Sequence, residues 1–314
     1  MKYTGIDIGG TKCAVMVGSI EDGICQKIKF ETTSVQKTLD RIISAVEELG
    51  AQNAIGISCG GPLDSKNGII LSPPNLPGWD RIEIVKLLRD RFCVPVGIQN
   101  DANACALAEW KYGAGKGTQN MIFLTFGTGM GAGLILNGKL YSGTNDMAGE
   151  VGHIRLENFG PVGYGKRGSF EGFCSGGGIA ELGKMLAREA LQCGNAPAYC
   201  KGYDALDGIT AKSIAECAML GDPTAKRVYE ICGEKLGTGL SILIDLLNPE
   251  KIVIGSVFER SGQLLRKQME EVIEKEALSY ARSVCEVVPA KLGDEIGDWA
   301  AIAAAENIYL EETK

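Results

Sequence analysis

The sequence predicts an α/β fold built as two halves, and three observations lead to this prediction. Strand-like apolar runs alternate with helical patterns along the chain. The length of 314 residues exceeds that of one ordinary domain, so two packed units are expected. A glycine turn between two strand-like runs begins at Gly9, and a second begins 118 positions later at Gly127. The sequence therefore indicates that one strand–turn–strand motif occurs twice.

The elements of the first half follow from apolar periodicity and turn residues. A Gly-Gly-Thr turn and a Glu-Asp-Gly turn separate three strands, and Gly50 is a plausible end for the first helix. The predicted elements are strands at 2–8, 12–20, 23–30 and 54–59, a helix at 35–49, a loop at 68–80, a helix at 81–92, a strand at 94–99 and a helix at 101–112. The glycine-rich segment Gly113–Gly117 is the expected domain boundary.

The second half begins as the first one does, with a buried strand, a tight turn and another strand. Helical patterns with two further strands follow. The predicted elements are strands at 121–126 and 132–136, helices at 176–192, 210–220 and 224–247, a strand at 251–255, a helix at 261–277, a strand at 284–288 and a helix at 298–308.

Composition and charge limit the function classes. The chain carries a net charge of −7 and does not concentrate Lys and Arg in any stretch, which argues against a nucleic-acid partner. A nucleotide remains possible because backbone N–H groups bind phosphate without positive side chains. The 11 cysteines are scattered and form no CxxC pair, which favours a reduced compartment. No signal-like or membrane-spanning run is evident, so we expect a cytoplasmic protein without a membrane partner.

The two glycine turns are candidate phosphate sites. The first is Asp7-Ile8-Gly9-Gly10-Thr11-Lys12 and the second is Thr125-Phe126-Gly127-Thr128-Gly129-Met130. Without a Cβ in the way, backbone N–H groups of such turns can point at phosphate oxygens. Each turn alone could be an ordinary β-hairpin. Two at matching positions favour the phosphate interpretation.

Two other phosphate motifs are excluded. The segment Gly113–Thr118 superficially resembles a P-loop, but Gly117 stands where Ser or Thr must follow the lysine. Gly127, Gly129 and Ala132 fit a loose dinucleotide fingerprint with Glu150 as its acid, yet a strand follows where that fingerprint needs a helix. A nicotinamide-dependent enzyme is therefore not expected.

Asp101 is the candidate catalytic base. It follows a predicted strand and opens a predicted helix, so its carboxylate can project from a strand end, and an ionised carboxylate can accept a proton from an attacking hydroxyl. The structural alternative is that Asp101 or Asn100 caps the helix, as these residue types often do.

Further motifs resemble those of the ROK family of bacterial sugar kinases and related repressors. They are Ser58–Asp64, Asn100–Asn103 and Glu150–His153, which accompany the first glycine turn. The resemblance continues nearly from end to end through Pro74–Trp79, 239–249 and 293–297. Any one of these motifs is weak evidence, and their ordered appearance is strong.

The resemblance implies an actin-like fold of two ribonuclease-H-like domains with an active site in the cleft between them. The first domain would comprise 1–116 with a returning helix at about 298–314, and the second 117–297. It also implies ATP and Mg²⁺ as cofactors, a sugar substrate and a homodimer.

Site residues carry over from the family by position. Asp101 matches the catalytic base and Gly255 lies where the nucleoside is held. The residues that match the sugar site are Gly61, Asn75, Asn100, Asp101, Glu150, His153 and Glu171. The residues that match the phosphate turns are Asp7, Gly9, Gly10, Thr11, Lys12, Gly127, Thr128 and Gly129.

One departure from the family concerns zinc. Many ROK members bind a structural zinc through a histidine and three cysteines, and here Val162, Tyr164 and Ser169 occupy the cysteine positions. His153 is the only histidine, and a lone histidine cannot supply the roughly four ligands zinc requires. We therefore expect no zinc. His153 is interpreted as a sugar contact or a support for Glu150, the alternative being a hydrogen-bonded remnant of the metal site.

The function that follows is ATP-dependent phosphorylation of a hexose or N-acetylhexosamine at its primary hydroxyl. A sugar-responsive repressor is the alternative, although we expect a repressor to carry a DNA-binding segment ahead of the first turn, which begins here at Asp7. A non-catalytic sugar-binding protein is a third possibility. The sequence leaves the sugar open, and polyphosphate remains open as a donor.

Overall fold

The computed structural model describes residues 1–313 and contains fifteen strands and ten α-helices within that range. The strands are β1 (Tyr3–Ile8), β2 (Lys12–Ser19), β3 (Gly23–Glu31), β4 (Ile55–Cys59), β5 (Leu63–Asp64), β6 (Ile69–Leu71), β7 (Asp80–Ile82), β8 (Val96–Asn100), β9 (Met121–Phe126), β10 (Met130–Leu136), β11 (Lys139–Tyr141), β12 (Val162–Gly163), β13 (Lys166–Arg167), β14 (Lys251–Ile254) and β15 (Glu286–Pro289). The helices are α1 (Val35–Leu49), α2 (Ile84–Phe92), α3 (Asp101–Lys111), α4 (Phe170–Phe173), α5 (Gly176–Gln192), α6 (Ala211–Met219), α7 (Pro223–Leu247), α8 (Val257–Glu276), α9 (Ser279–Arg282) and α10 (Ile296–Glu312).

Two five-stranded sheets repeat one strand order. The first sheet is ordered β3-β2-β1-β4-β8 and the second β11-β10-β9-β14-β15. In the first, β1 pairs antiparallel with β2 and parallel with β4, and β4 pairs parallel with β8. In the second, β10 pairs antiparallel with β11, while β14 pairs parallel with both β9 and β15. Each sheet therefore joins an antiparallel part to a parallel part, as expected for a mixed α/β protein.

The described chain divides into two compact units. Unit 1 contains Met1–Gln119, Gly133–Ala148 and the C-terminal segment from Lys291, and unit 2 contains Asn120–Ala132 and Gly149–Ala290.

The core of unit 1 lies on both faces of its sheet. On one face Ile6, Ile57 and Ile98 pack with the apolar sides of α1 and α2. On the other face α10 lies so close to the strands that a Cβ on Gly5 would come 2.9 Å from the Cβ of Ala301. A Cβ on Gly56 would overlap the backbone of Ala305. The small residues of β1, β4 and α10 thus allow this helix to seat directly on the sheet.

Unit 2 is built from helices packed around β9, β14 and β15. The longest helix, α7, begins at the cap Asp222, whose carboxylate accepts the Ala225 N–H at 2.7 Å, with Pro223 in the first turn. Phe170 on α4 is fully buried, and a Cβ on Gly239 of α7 would overlap its ring. This contact fixes the position of the short helix α4, which carries Glu171.

The structure differs from the predicted elements in the segment 61–83. The predicted loop at 68–80 contains β6 and runs into β7, and both form a small antiparallel sheet with β5. The helix predicted from residue 81 begins instead at Ile84. Strands of two or three residues are too short to show the alternation by which strands are recognised in sequence. The four-residue helices α4 and α9 and the strands β11, β12 and β13 escaped prediction for the same reason.

In the part of the chain that the structure describes, no helix is long and apolar enough to cross a membrane. All 11 cysteines are free thiols.

Candidate active site

Three parallel strands of unit 1 end side by side. The register pairs Ile8 with Cys59 and Cys59 with Asn100. The residues that follow these strands along the chain are Gly9, Gly60 and Asp101. Since ligands of open α/β sheets bind beyond the carboxyl ends of the strands, this edge is the natural location for a site.

The first glycine turn is closed by hydrogen bonds and faces Asn75. Gly9 N–H donates to the Lys12 carbonyl at 3.1 Å, and the Thr32 hydroxyl donates to the Gly9 carbonyl at 2.6 Å. A Cβ on Gly10 would overlap the Asn75 carbonyl oxygen, so only glycine fits at position 10. Thr11 and Lys12 at the tip are exposed.

Asn75 is therefore held beside two predicted site segments. A Cβ on Gly60 would lie 3.0 Å from Asn75 Oδ1, which places the amide at the end of β4 as well as at the first turn. Its loop is anchored by the neighbouring buried side chains of Leu76 and Trp79. Gly61, the residue after Gly60, forms a cis peptide bond with Pro62. A Cβ on Gly61 would have no protein atom within 4 Å, so the space beside it is open.

The helix α3 is capped by Asn100 rather than by Asp101. Asn100 Oδ1 accepts the Asn103 N–H at 2.8 Å, which is the geometry of an N-cap. Asp101 is the first residue of the helix, and its Oδ1 lies 3.5 Å from the Ser58 hydroxyl, which can donate to it. Capping therefore accounts for Asn100 and leaves the Asp101 carboxylate available.

The Asp101 carboxyl is a stronger base than an ordinary aspartate. The residue reaches solvent, yet burial of its carboxyl group among protein atoms raises its pKa, and the Ser58 hydrogen bond lowers it by a smaller amount. A carboxylate with a raised pKa accepts a proton more readily from a hydroxyl.

Asp7 lies at the same strand ends and has a strongly perturbed pKa. Burial, helped by the negative charges of Asp101 and Asp298 and opposed by Lys27 and Lys29, raises the pKa of Asp7 to about 7. Asp298 itself forms an ion pair with Lys27. A Cβ on Gly297, at the start of α10, would lie 3.8 Å from Asp7 Oδ2. This carboxyl cluster therefore holds more negative charge than the neighbouring lysines balance.

The second glycine turn, in unit 2, is held at both ends by one short segment. Gly127 N–H donates to the Gly129 carbonyl at 3.1 Å and closes the turn. The Gly127 carbonyl accepts the Gly176 N–H at 2.7 Å, and Met130 N–H donates to Glu171 Oε2 at 2.9 Å. Glu171 lies in α4 and Gly176 is the first residue of α5, so both partners come from one short stretch of chain.

The segment that carries Glu150 and His153 approaches Glu171 in unit 2 at Gly152. A Cβ on Gly152 would overlap the Met130 carbonyl oxygen and lie 3.2 Å from the Cβ of Glu171. Glu150 and His153 stand on either side of this glycine, around a turn of 3-10 helix at Val151–His153, and both are exposed. The backbone of the Glu150–His153 segment therefore passes beside Glu171.

A cavity of about 820 Å³ opens in unit 2 beside the second turn. Gly127, Thr128 and the first residues of α5 line part of it, and the remainder combines apolar residues with the charged Lys212, Glu216 and Arg260. The apolar lining residues include Ala180, Ile209, Ala211, Ala215, Met219 and Val257. Its volume lies in the usual range for ligand pockets, and the N-terminus of a 17-residue helix favours anions.

Ser256 rather than Gly255 faces this cavity. Gly255 is buried, and a Cβ there would meet the Phe123 ring at 3.3 Å, whereas Ser256 lines the cavity at a φ of 61°. Its hydroxyl accepts a hydrogen bond from Arg260 Nη2 at 3.0 Å. A non-glycine residue at this φ is strained, and such strain is found most often at functional positions.

The segment that would carry zinc in the family is a small hairpin of β12 and β13. Val162 and Tyr164 are exposed there, and the buried Ser169 caps α4 by accepting the Gly172 N–H at 3.1 Å. Lys166 Nζ donates to the His153 carbonyl at 2.7 Å, so a hydrogen bond from an ammonium group links this hairpin to the segment that carries His153. Within residues 1–313, no three His, Cys, Asp or Glu side chains form a group suited to a metal ion. The side chains present do not fit a zinc site.

Sequence reasoning missed several residues that the tertiary structure adds to these sites. They are Asp298, Lys27, Gly176, Gly177, Ser256 and Arg260, and Ser58 was named only as part of a motif, without a role. Only Ser175-Gly176-Gly177-Gly178 carried a usable signal, since an N-cap serine before a glycine run is typical of a helix that begins at a ligand.

These observations define an α/β protein with a repeated sheet topology and glycine turns suited to phosphate. The chain belongs to the ROK family, whose model matches residues 3–307. It is 32% identical over 309 residues to the glucokinase of Halalkalibacterium halodurans, with 94% of this chain and 92% of the relative covered. It is 31% identical over 222 residues to the xylose repressor of Caldicellulosiruptor bescii, with 70% and 54% covered.

A solved structure of the same family is also similar. The ROK family glucokinase of Streptomyces griseus, in complex with glucose and AMPPNP, matches with a TM-score of 0.75 at 31% identity, covering 98% of this chain and 99% of that one. The predicted resemblance to the ROK family is confirmed.

Proposed function

We propose that this protein is a sugar kinase that transfers the γ-phosphoryl group of ATP to the primary hydroxyl of a hexose or N-acetylhexosamine. The observation that carries the proposal is the state of Asp101. Asn100 caps α3, so that the neighbouring carboxylate is left at the strand ends with a raised pKa. The kinase relatives support the class, since the chain matches a glucokinase along nearly its whole length.

In the proposed reaction Asp101 acts as the general base. The primary hydroxyl oxygen of the sugar forms a bond to the γ-phosphorus while the bond from that phosphorus to the β,γ-bridging oxygen breaks and ADP leaves. The hydroxyl proton passes to Asp101. The hydrogen bond from Ser58 orients the carboxylate and lowers its pKa, which favours the ionised form that can accept the proton.

The donor is proposed to be ATP rather than polyphosphate. A polyphosphate chain needs anion-binding groups alone, whereas the cavity beside Gly127 also offers the apolar wall of Ile209, Ala215 and Met219, which suits a nucleoside. Backbone N–H groups of the two glycine turns, at Gly9–Lys12 and Gly127–Gly129, would contact the phosphates.

Mg²⁺ fits the chemistry of the first strand ends. The Asp7 carboxyl lies beside the charges of Asp101 and Asp298, which together with burial raise its pKa to about 7, and hard oxygen ligands of this kind are the ones Mg²⁺ prefers. Asp7 would hold the ion together with the phosphates. When bound, the ion would neutralise charge on the phosphate oxygens.

The sugar is proposed to bind through the polar side chains that match the family's sugar site. Asn75 and the amide nitrogen of Asn100 are the candidates in unit 1, and Glu150, His153 and Glu171 are those in unit 2. Carboxylates and carboxamides suit a ring of hydroxyls because each hydroxyl both donates and accepts. Which sugar is preferred depends on a few such hydrogen bonds.

We also propose the actin-like fold, the homodimer and the cytoplasmic location that the resemblance implies. A sugar-responsive regulator is the second candidate function, because a xylose repressor is 31% identical over 70% of this chain. The predicted site includes a base that sugar binding alone would not need, and this favours the kinase.

A screen for ADP release tests the proposal. The purified protein would be assayed with Mg·ATP against hexoses and N-acetylhexosamines, and then with polyphosphate. Asp101→Asn should reduce turnover by about 10²–10⁴-fold with the best sugar. Asp90→Asn removes an exposed carboxylate of α2 and serves as the matched control, with unchanged turnover expected. No ADP release with any sugar would reject the kinase, and sugar binding without turnover would favour the regulator.

A further inference from the structure

Glu171 lies where three backbone segments of unit 2 converge. A Cβ on Gly129, in the second glycine turn, would come 2.7 Å from Glu171 Oε2. A Cβ on Gly152, between Glu150 and His153, would come 3.2 Å from the Cβ of Glu171. A Cβ on Gly178, in the first turn of α5, would come 2.6 Å from its carbonyl oxygen. Glu171 thus lies against the second glycine turn (called the donor turn below, since it is proposed to bind the phosphoryl donor). It also lies against the segment that carries Glu150 and His153, and against the helix α5 that begins at the cavity.

The Glu171 side chain is hydrogen-bonded to the end of the second glycine turn. Glu171 Oε2 accepts the Met130 N–H at 2.9 Å, directly after Gly129. The opposite end of the turn is held by the Gly176 N–H, only five positions further along the same segment. A hydrogen bond to a carboxylate is stronger than one between neutral groups, so this bond is a main determinant of the turn's position.

We propose that Glu171 is a positioning residue for the phosphate-binding turn, in addition to the sugar contact proposed above. The inference rests on the proposed function. A carboxylate has two oxygens, and Oε2 is committed to Met130 while Oε1 can accept a sugar hydroxyl. Sugar and donor turn are therefore bound by the same side chain, and each influences the other's geometry through it.

Three variants separate the two roles. Glu171→Ala removes both oxygens. Glu171→Gln keeps one acceptor oxygen for the Met130 N–H and replaces the other by an NH₂ group, which changes only what the sugar meets. Glu150→Ala is the matched control, because Glu150 belongs to the sugar segment and, among the residues described, its side chain makes no hydrogen bond to the turn.

The measurement is the Kd of Mg·AMPPNP in the absence of sugar, by calorimetry, together with the KM of the best sugar from the ADP-release screen. Glu171→Ala should weaken AMPPNP binding by about 10- to 100-fold, the equivalent of one hydrogen bond to a charged group. Glu171→Gln should restore AMPPNP binding to within about threefold of wild type while its sugar KM stays raised. Glu150→Ala should raise the sugar KM and leave AMPPNP binding unchanged.

The outcomes distinguish this inference from the proposed function. Equal AMPPNP affinity in wild type and Glu171→Ala would overturn the positioning role while leaving the kinase intact. Failure of Gln to improve on Ala would also overturn it, since a loss by misfolding alone would not be rescued through the acceptor oxygen. A wild-type protein that neither binds AMPPNP nor releases ADP would overturn both proposals.

Discussion

Replacing Asp7 by Asn should stabilise the protein in a strongly pH-dependent way. The pKa of Asp7 rises from 3.8 to about 7 in the folded chain, because burial and the charges of Asp101 and Asp298 disfavour its ionised form. The unfolded chain loses this proton near pH 4, and the folded chain keeps it until about pH 7. Folding therefore becomes less favourable across that window.

The magnitude follows from the width of the window. Each pKa unit corresponds to about 1.4 kcal/mol, so an ionised Asp7 costs about 4 kcal/mol of unfolding free energy above pH 7. Asn has the shape of the protonated carboxyl and no charge to bury. Asp7→Asn and wild type should therefore have similar stability at pH 4, and the variant should gain progressively to about 4 kcal/mol by pH 8.

Urea unfolding followed by tryptophan fluorescence measures this difference. The three tryptophans, Trp79, Trp110 and Trp299, all belong to the unit that contains Asp7. Unfolding free energies at pH 5, 6, 7 and 8 would be compared with Asp90→Asn, in which an exposed carboxylate is lost and a constant difference is expected. Parallel stability profiles for Asp7→Asn and wild type would refute the reasoning. The same variant should lose kinase activity, because Asn cannot supply the carboxylate that is proposed to hold Mg²⁺.

Three further predictions concern the pKa of Asp101, the buried carboxylate of Glu109 and the expected absence of zinc. Ser58→Ala removes the hydroxyl that lowers the pKa of Asp101, so the acidic limb of the kcat profile should move to higher pH; an unmoved limb would contradict general-base catalysis by Asp101. Glu109 is fully buried and accepts the N–H groups of Ala114, Lys291 and Leu292 at 2.7, 2.9 and 2.8 Å. Glu109→Ala should cost about 3 kcal/mol in urea unfolding, and a loss below about 1 kcal/mol would show that water replaces these bonds. Metal analysis of the purified protein should find no stoichiometric zinc, whereas one zinc per chain would refute the assignment of Val162, Tyr164 and Ser169 as non-ligands.

The sequence predicted most strands and helices of the two sheets because their signals are local. The helix α1 begins and ends where predicted, at Val35 and before Gly50, since its apolar periodicity and its glycine end lie within one short stretch. Both glycine turns lie between strands as predicted, since alternating apolar runs and turn residues sit next to one another in the chain. The small sheet of β5, β6 and β7 was not predicted, because its strands are held by partners rather than by their own pattern.

The candidate sites show the same division between local and distant information. Residue type and order identified Asp101 and the two turns as candidates, and the resemblance to the ROK family added Glu171. It could not show that Asn100 takes the capping role, since both residues are suited to it and only the hydrogen bond to Asn103 decides.

The sequence by itself determined the fold class, the family and the residue types that could carry phosphoryl transfer, because these depend on short segments and their order. The tertiary structure decided what those residues experience. Asp298 approaches Asp7 from the far end of the chain, Glu171 reaches the Met130 N–H from 41 positions away, and Ser256 lines the cavity beside the second turn. Charge, desolvation and hydrogen bonding act over a few ångströms of space, and distance along the chain does not reveal which groups share that space.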